Sequence, residues 1–116
     1  MNKIPVIAVV GPTASGKTSL SIEIAKHFGE NCRSISGFRN AAAVILQDDL
    51  KSFGAETILC TDDGSMGRKG FVTEALKDEV NKKKPDVIYA CGPNVMIKGV
   101  VDIAKEAGVP CFISLE

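Results

Sequence analysis

The sequence predicts an α/β domain: a three-layer αβα sandwich built around a five-stranded parallel sheet. Three observations lead to this prediction. Short apolar segments of strand length alternate with longer segments whose apolar residues recur at helical spacing. Glycine or proline stands at most of the boundaries between them. The alternation continues along all 116 residues without a linker or repeat, and such chains form parallel sheets covered by helices on both faces.

The boundaries of the elements follow from apolar periodicity and from end signals. Gly29, Gly54 and Gly108 each follow a helical segment, at the position where a left-handed residue ends a helix. Asn40 and Asn94 precede helical segments and are predicted N-caps. Strands are predicted at residues 4–10, 33–38, 57–60, 87–91 and 111–115, and helices at residues 17–28, 41–53, 71–83 and 95–107.

Composition argues against several classes of protein. Fourteen basic and fourteen acidic residues give a formal net charge of zero, so we expect no nucleic-acid or membrane partner. The apolar start leads into a glycine-rich loop instead of a cleavage site, and no segment is long enough to cross a bilayer. A single cytoplasmic domain over residues 1–116 is therefore expected. Cysteines without metal-ligand spacing are expected to be free thiols; they are Cys32, Cys60, Cys91 and Cys111.

The most specific motif follows the first predicted strand. Residues 11–18 match G-x-x-x-x-G-K-[ST], the phosphate-binding P-loop or Walker A pattern. Backbone N–H groups of such a loop converge on a phosphate, and the following helix adds a partial positive charge. Lys17 would reach the outer phosphates, and the Thr18 hydroxyl would ligate Mg²⁺. The predicted phosphate-binding residues are Gly11, Pro12, Thr13, Ala14, Ser15, Gly16, Lys17 and Thr18.

Three more loops fall at the same edge of the predicted sheet, over residues 37–40, 62–70 and 91–94. Ligands of open α/β sheets bind at the carboxyl ends of the strands, where the strand order reverses. Asp62 and Asp63 are the nearest match to the acidic Mg²⁺ partner that phosphoryl transfer requires, but turn residues are the favoured interpretation of both. Cys91 has no neighbouring base and is interpreted as a packed thiol. No catalytic residue is predicted.

Residues 4–29 resemble the start of tRNA dimethylallyltransferases, P-loop enzymes that prenylate an adenine in tRNA. The resemblance is carried by residues 9–20, which include the P-loop, and by residues 22–25. In that family an acidic, substrate-binding segment follows the first helix. The sequence departs from the family at Asn31, so the machinery for tRNA and the prenyl donor is not expected here.

Residues 34–116 resemble the nucleotide-binding domain of the electron-transfer subunit of dihydroorotate dehydrogenase, a ferredoxin-reductase-like module. The resemblance implies a Rossmann-like strand order of 3-2-1-4-5. The family's flavin-binding barrel and its cysteine cluster for a [2Fe–2S] centre are missing, so no flavin or iron–sulfur cluster is expected. The motifs that carry the resemblance are Gly37-Phe38-Arg39-Asn40, Thr61-Asp62-Asp63-Gly64-Ser65, Lys69-Gly70-Phe71-Val72-Thr73, Tyr89-Ala90-Cys91-Gly92-Pro93 and Gly108-Val109-Pro110-Cys111.

The second resemblance also implies nucleotide contacts. It places residues 37–40 near the ribose of the nucleotide and residues 91–93 near the nicotinamide. With the two aspartates that follow the third strand, the candidate nucleotide contacts are Gly37, Arg39, Asn40, Asp62, Asp63, Cys91, Gly92 and Pro93.

The two resemblances meet at residues 29–33, which predicts an engineered or recombinant chimera: a P-loop unit over residues 1–30 and a reductase-like remainder over residues 31–116. The leading hypothesis is a module that binds phosphate or an ATP-type nucleotide with Mg²⁺, and that has little or no catalysis. The strands flanking the P-loop strand end without a carboxylate to hold the metal. The alternatives are an NAD(P)-binding domain of a flavin and iron–sulfur oxidoreductase, or a chimeric scaffold that binds no ligand.

Overall fold

The computed structural model describes residues 5–11, 31–38, 52, 54 and 56–115. These ranges hold a six-stranded sheet in the order β4-β3-β2-β1-β5-β6, in which every pair of neighbours is parallel. The strands are β1 (Val6–Val10), β2 (Cys32–Phe38), β3 (Glu56–Thr61), β4 (Arg68–Lys69), β5 (Val87–Gly92) and β6 (Cys111–Leu115), and the helices are α1 (Val72–Lys82) and α2 (Asn94–Ala107).

The predicted parallel α/β fold is confirmed, with six strands instead of five. Without β4, the observed order is the predicted 3-2-1-4-5. The strand that was missed, β4, has two residues and pairs with the end of β3 through Cys60↔Arg68 and Thr61↔Lys69. It lies between Gly67 and Gly70 in a segment predicted as a loop, and two residues are too few to show a strand period. The helix predicted at residues 17–28 lies outside the described residues, as do Gly29 and Asn40. Of the helix predicted at residues 41–53 only residue 52 is described, and it is helical.

The centre of the sheet is formed by β1 and β2, in which every residue is buried. The apolar run of β1 is what a strand covered on both faces requires. Helices α1 and α2 pack together and form one layer against the sheet. The buried side chains in the core between them include Ile7, Val9, Ile35, Leu76, Ile88 and Val100.

The predicted C-terminal end of helix α2 is confirmed, whereas the predicted N-cap is wrong. Gly108 has a left-handed φ of 71°, and its N–H donates to the carbonyl oxygens of Ala104 and Lys105, as predicted for a helix end. The prediction of Asn94 as N-cap is wrong, because Asn94 is already the first helical residue and Pro93 is the N-cap. The helical hydrogen bonds begin at the Pro93 carbonyl, which accepts the Ile97 N–H at 3.0 Å.

A buried ion pair joins β2 to the end of α1. The Arg33 Nη1 lies 3.3 Å from Glu79 Oε1 and donates to the Glu79 carbonyl at 3.0 Å. The Nη2 donates to the Lys83 carbonyl at 2.7 Å. A cation at the carboxyl end of a helix is favoured by the helix dipole, so Arg33 neutralises a buried carboxylate and also closes the last turn of α1.

The hydroxyl of Ser34 is a weak point of the core. Ser34 is fully buried on β2, and its Oγ has no hydrogen-bond partner within the described part of the chain. Because an unpaired buried hydroxyl costs about 1–3 kcal/mol, Ser34→Ala should raise the free energy of unfolding by about 1 kcal/mol in urea titrations.

Thr61→Val is the matched control for Ser34→Ala. Thr61 is equally buried, but its hydroxyl donates to the Met66 carbonyl at 2.7 Å. Removing that hydroxyl should lower the free energy of unfolding by about 1 kcal/mol. Destabilisation by Ser34→Ala of the same size would show that the Ser34 hydroxyl has a partner after all.

Candidate functional site

A pocket of about 330 Å³ opens at the carboxyl edge of the sheet, beside the ends of β2, β3 and β5. Its walls come from these strand ends, from the segment that enters α1 and from the first turns of α2. Most of the lining side chains are apolar, and Asp62 is the one ionisable residue among them. The lining residues are Gly37, Asp62, Gly70, Phe71, Val72, Thr73, Pro93, Val95, Met96 and Gly99.

The strand ends around the pocket are tied together by backbone hydrogen bonds. The N–H of Gly11, directly after β1, donates to the Cys91 carbonyl in β5 at 2.9 Å. The N–H of Asp62, directly after β3, donates to the Phe38 carbonyl in β2 at 3.0 Å. Since β1 has β2 on one side and β5 on the other, it is the strand at which the order reverses. This is the place where open α/β sheets bind ligands.

Two glycines allow α2 to approach this edge closely. A Cβ on Gly11 would lie 2.5 Å from the Met96 Sδ, and a Cβ on Gly92 would lie 2.7 Å from the Met96 Cε. The two glycines also adjoin each other, since a Cβ on Gly92 would be 3.4 Å from the Gly11 Cα. The side chain of Met96 therefore packs where the ends of β1 and β5 carry no side chains of their own.

The loop between β3 and β4 is built by its own hydrogen bonds. The Thr61 hydroxyl bonds to Met66, and the Gly70 N–H donates to the Thr61 carbonyl at 3.0 Å. Asp63 Oδ1 accepts the Ser65 N–H at 2.9 Å and the Ser65 hydroxyl at 2.6 Å. These bonds, the hydroxyl first, hold the pKa of the Asp63 carboxyl below its usual value. Asp63 is therefore a turn residue, as the favoured interpretation of the sequence had it.

The cysteines are free thiols, as expected. Burial raises the pKa of Cys32 to about 11, and it also raises the pKa of Cys60 and of Cys111. A raised pKa disfavours the thiolate, which is the nucleophilic form. Cys91 is fully buried. Among the described residues, no group of three or more His, Cys, Asp or Glu could hold a metal ion.

The structure brings together part of the predicted site. Gly37, Asp62 and Pro93 line the pocket. Gly11, Cys91 and Gly92 adjoin the pocket residue Met96 or the strand end beside it. The candidate contact Asp63 stands apart in its turn. Residues 12–18, with the predicted Mg²⁺ ligand Thr18, and the candidates Arg39 and Asn40 lie outside the described residues.

Several pocket residues were missed by the sequence analysis, chiefly Met96, Phe71, Thr73 and Val95. Phe71 and Thr73 were noted only as part of a family motif. Val95 and Met96 were assigned to a helix, without any indication of what its first turn would face. The available signal was their position directly after a strand that ends at the ligand-binding edge, since the first turn of the following helix stands at that edge too.

Comparison with known proteins identifies the class. A model of the oxidoreductase NAD-binding domain family matches residues 17–102. A probable dihydroorotate dehydrogenase B (NAD(+)) electron transfer subunit from Methanopyrus kandleri is 38% identical over 109 residues, which are 94% of this chain and 42% of that protein. The homologous subunit from Thermotoga maritima is 38% identical over 90 residues, 78% of this chain and 32% of that protein. The chain thus spans about two fifths or less of these curated relatives.

Solved structures agree with the family assignment. The NADH-dependent reduced ferredoxin-NADP oxidoreductase, described in a study of flavin-based electron bifurcation, matches with a TM-score of 0.73 and 30% identity, over 98% of this chain and 41% of that one. The C-terminal domain of a Pyrococcus furiosus hydrogenase matches with a TM-score of 0.69 and 21% identity, over 99% and 94% of the two chains. At that identity the second likeness concerns the fold alone.

These findings overturn the chimera interpretation. The similarity to the M. kandleri protein covers 94% of the chain and so crosses residues 29–33, where the two parents were predicted to meet. No finding supports the resemblance to tRNA dimethylallyltransferases. The predicted binding of Mg²⁺-ATP is also wrong, because the matching family binds NAD. The expectation of no flavin is wrong as well, given a relative described for flavin-based chemistry.

The error has a physical origin. P-loop proteins and dinucleotide-binding domains both place a glycine-rich turn between the first strand and the first helix, where backbone N–H groups and the helix N-terminus receive phosphate. A glycine-rich pattern in this place of the sequence, as at residues 11–18, therefore does not by itself distinguish the two nucleotides. Neither described helix is long and apolar enough to span a membrane. The chain belongs to the oxidoreductase NAD-binding domain family.

Proposed function

We propose that this chain is the NAD(H)-binding module of an electron-transfer subunit similar to those of dihydroorotate dehydrogenase B. The observation that carries the proposal is the pocket at the carboxyl edge, beside the strand at which the sheet order reverses, in a chain of an NAD-binding family. Its volume of about 330 Å³ is at the small end of ligand pockets. It therefore fits one ring system of a dinucleotide, with the remainder lying along the edge.

The dinucleotide would lie across the strand ends. The loop that begins at Gly11, with Lys17, would receive the pyrophosphate, since the loop after the first strand at a switch point takes this role. The segment over residues 37–40 would face the adenosine ribose, and Gly92 with Pro93 would face the nicotinamide. Two features of the described residues support this arrangement: glycine at the ends of both β1 and β5, and apolar walls that suit a planar ring.

A redox role requires an electron acceptor at the same edge. Bound NADH supplies a hydride, which carries two electrons and a proton, and the acceptor must approach the nicotinamide directly. We infer that this acceptor is a flavin held by another domain or subunit, as the names of the relatives suggest. The exposed side chains of Phe71 and Val95, 65% and 87% accessible, stand on the rim of the pocket where such a partner would meet the chain. The role of this chain is to bind and orient the dinucleotide.

Titration with NADH tests the proposal. We expect saturable binding of NADH, followed by its fluorescence or by calorimetry, and no comparable binding of ATP with Mg²⁺. Failure of the folded chain to bind NADH, or equal affinity for Mg²⁺-ATP, would overturn it.

A charge placed in the pocket should weaken this binding. Val95→Asp adds a carboxylate at an exposed pocket position, where the fold loses little. The carboxylate repels the pyrophosphate and spoils an apolar wall, so we expect the Kd for NADH to rise about tenfold, equivalent to about 1.4 kcal/mol. Lys105→Ala makes the same change in net charge in the last turn of α2. As the control it should leave the Kd within about twofold, since screening weakens distant charges.

A further inference from the structure

We propose that Met96 is a positioning residue that fixes the separation between the ends of β1 and β5, and with it the span over which a dinucleotide is held. The inference rests on the proposed function, because it assigns a task within the same site. Met96 stands in the first turn of α2, is partly buried and lines the pocket. No motif or charge marks this residue in the sequence.

The contacts of Met96 reach two strand ends at once. Its Sδ lies 2.5 Å from the position of a Cβ on Gly11 and 2.9 Å from that of a Cβ on Gly92. Its methyl carbon lies 2.7 Å from the same position on Gly92. All three distances are shorter than a real Cβ contact, so the thioether occupies the space that side chains at both positions would need. A flexible, polarisable side chain without a β-branch suits so narrow a gap.

A hydrogen bond and a side chain together define the gap. The Gly11 N–H bonds to the Cys91 carbonyl at 2.9 Å, which sets how closely the two backbones approach. Met96, packed against both glycines, prevents them from moving into the space beside that bond. In the proposed function, the loop after Gly11 holds the pyrophosphate and Gly92 with Pro93 faces the nicotinamide. The gap therefore governs whether both parts of one ligand can be bound at the same time.

A purely structural Met96 would behave differently from a positioning one. Loss of packing alone would lower the free energy of unfolding, and it would weaken the binding of every ligand at this edge of the sheet to the same extent. Loss of positioning would weaken the binding of a ligand that spans the ends of both strands more than the binding of a ligand that contacts only one strand end. ADP-ribose contains the adenosine and the pyrophosphate but lacks the nicotinamide, so comparison of NADH with ADP-ribose separates the two roles.

The first experiment measures the Kd of NADH and of ADP-ribose for the full chain and for Met96→Ala. We expect the Kd for NADH to rise about tenfold, which is about 1.4 kcal/mol, and that for ADP-ribose to change less than about twofold. Met96→Leu keeps a side chain of similar volume that is not branched at Cβ. This variant should therefore retain most of the NADH affinity. Equal weakening of both ligands, or no weakening of either, would overturn the inference.

The second experiment uses the contact between Met96 and Gly92 directly. Gly92 does not have a positive φ, and the nearest atom to its added Cβ after those of Met96 is the Gly11 Cα, at an ordinary 3.4 Å. Gly92→Ala alone should therefore force Met96 aside and raise the Kd for NADH about tenfold or more. Adding Met96→Ala removes the obstruction, so the double variant should bind NADH no more weakly than the weaker of the two single variants. Losses that simply multiply would contradict the proposal.

Gly99→Ala serves as the matched control in the same helix. Its Cβ would meet the Thr73 Cγ2 at 2.9 Å, and Met96 is not among the atoms near it. Whatever Gly99→Ala costs, Met96→Ala should not rescue it. The unmodified chain provides the remaining distinction: absence of NADH binding there refutes the proposed function, whereas normal binding with unaffected Met96 variants refutes only the role of Met96.

Discussion

Arg33→Met should lower the free energy of unfolding by about 3 kcal/mol, as measured by urea denaturation. Arg33 and Glu79 are each only 10% exposed in their side chains. Removing the guanidinium leaves the Glu79 carboxylate with Lys82, whose own side chain is 73% exposed, and leaves the Glu79 and Lys83 carbonyls without this donor. Breaking a buried ion pair by removing one partner typically costs about 3–5 kcal/mol, because the other charge stays buried. The small residual exposure places this case at the lower end.

Two controls establish the cause of that loss. Arg68→Met breaks the ion pair with Asp78, in which the side chains are 41% and 52% exposed. Since exposed pairs contribute about 0–1 kcal/mol, this variant should lose less than about 1 kcal/mol. The double variant Arg33→Met with Glu79→Leu buries no uncompensated charge and should be more stable than Arg33→Met alone. Equal losses in Arg33→Met and Arg68→Met would show that burial of the pair contributes nothing.

The same pair shows what the sequence could and could not predict. Strand β2 was located to within one residue at its start, because strand length and apolar content are local properties. That Arg33 would meet Glu79, 46 residues further along, depends on how α1 is laid across the sheet. The apolar periodicity of β2 and of α1 does not say how the helix is placed on the sheet. The ion-pair partner of a charged residue in a central strand could therefore not be predicted from the sequence.

Some residues of the candidate site could likewise be predicted from the sequence, and others could not. Gly37, Asp62 and Pro93 were placed at the right edge because parallel strands bring their carboxyl ends together. Met96 was missed because its contacts join the start of α2 to the end of β1. The nucleotide was predicted wrongly, since a glycine-rich loop after the first strand is common to ATP-binding and dinucleotide-binding proteins. Similarity along nearly the whole chain decided between them, which no single loop could do.

Gly67→Ala should be the most damaging substitution in the loop between β3 and β4, with an expected loss of about 3 kcal/mol in the free energy of unfolding. Gly67 has a φ of 66°, and its added Cβ would overlap the Leu59 carbonyl oxygen. The left-handed conformation costs an L-residue about 1–2 kcal/mol. Forcing an atom against the backbone of β3, which cannot move without breaking the sheet, adds about 1–3 kcal/mol.

Gly64→Ala isolates the backbone clash from the conformational cost. Gly64 has a similar φ of 74°, but the atoms nearest to its Cβ would be side-chain carbons of Lys69 at 3.0–3.2 Å, a tight contact without overlap of a backbone atom. Its loss should be about 1 kcal/mol, again by urea denaturation. Because Asp62 and Gly70 of the pocket flank this loop, Gly67→Ala should also weaken NADH binding more than Gly64→Ala does. If the two variants were equally stable, the loop would be free to shift away from β3, and the predicted clash with the Leu59 carbonyl would be wrong.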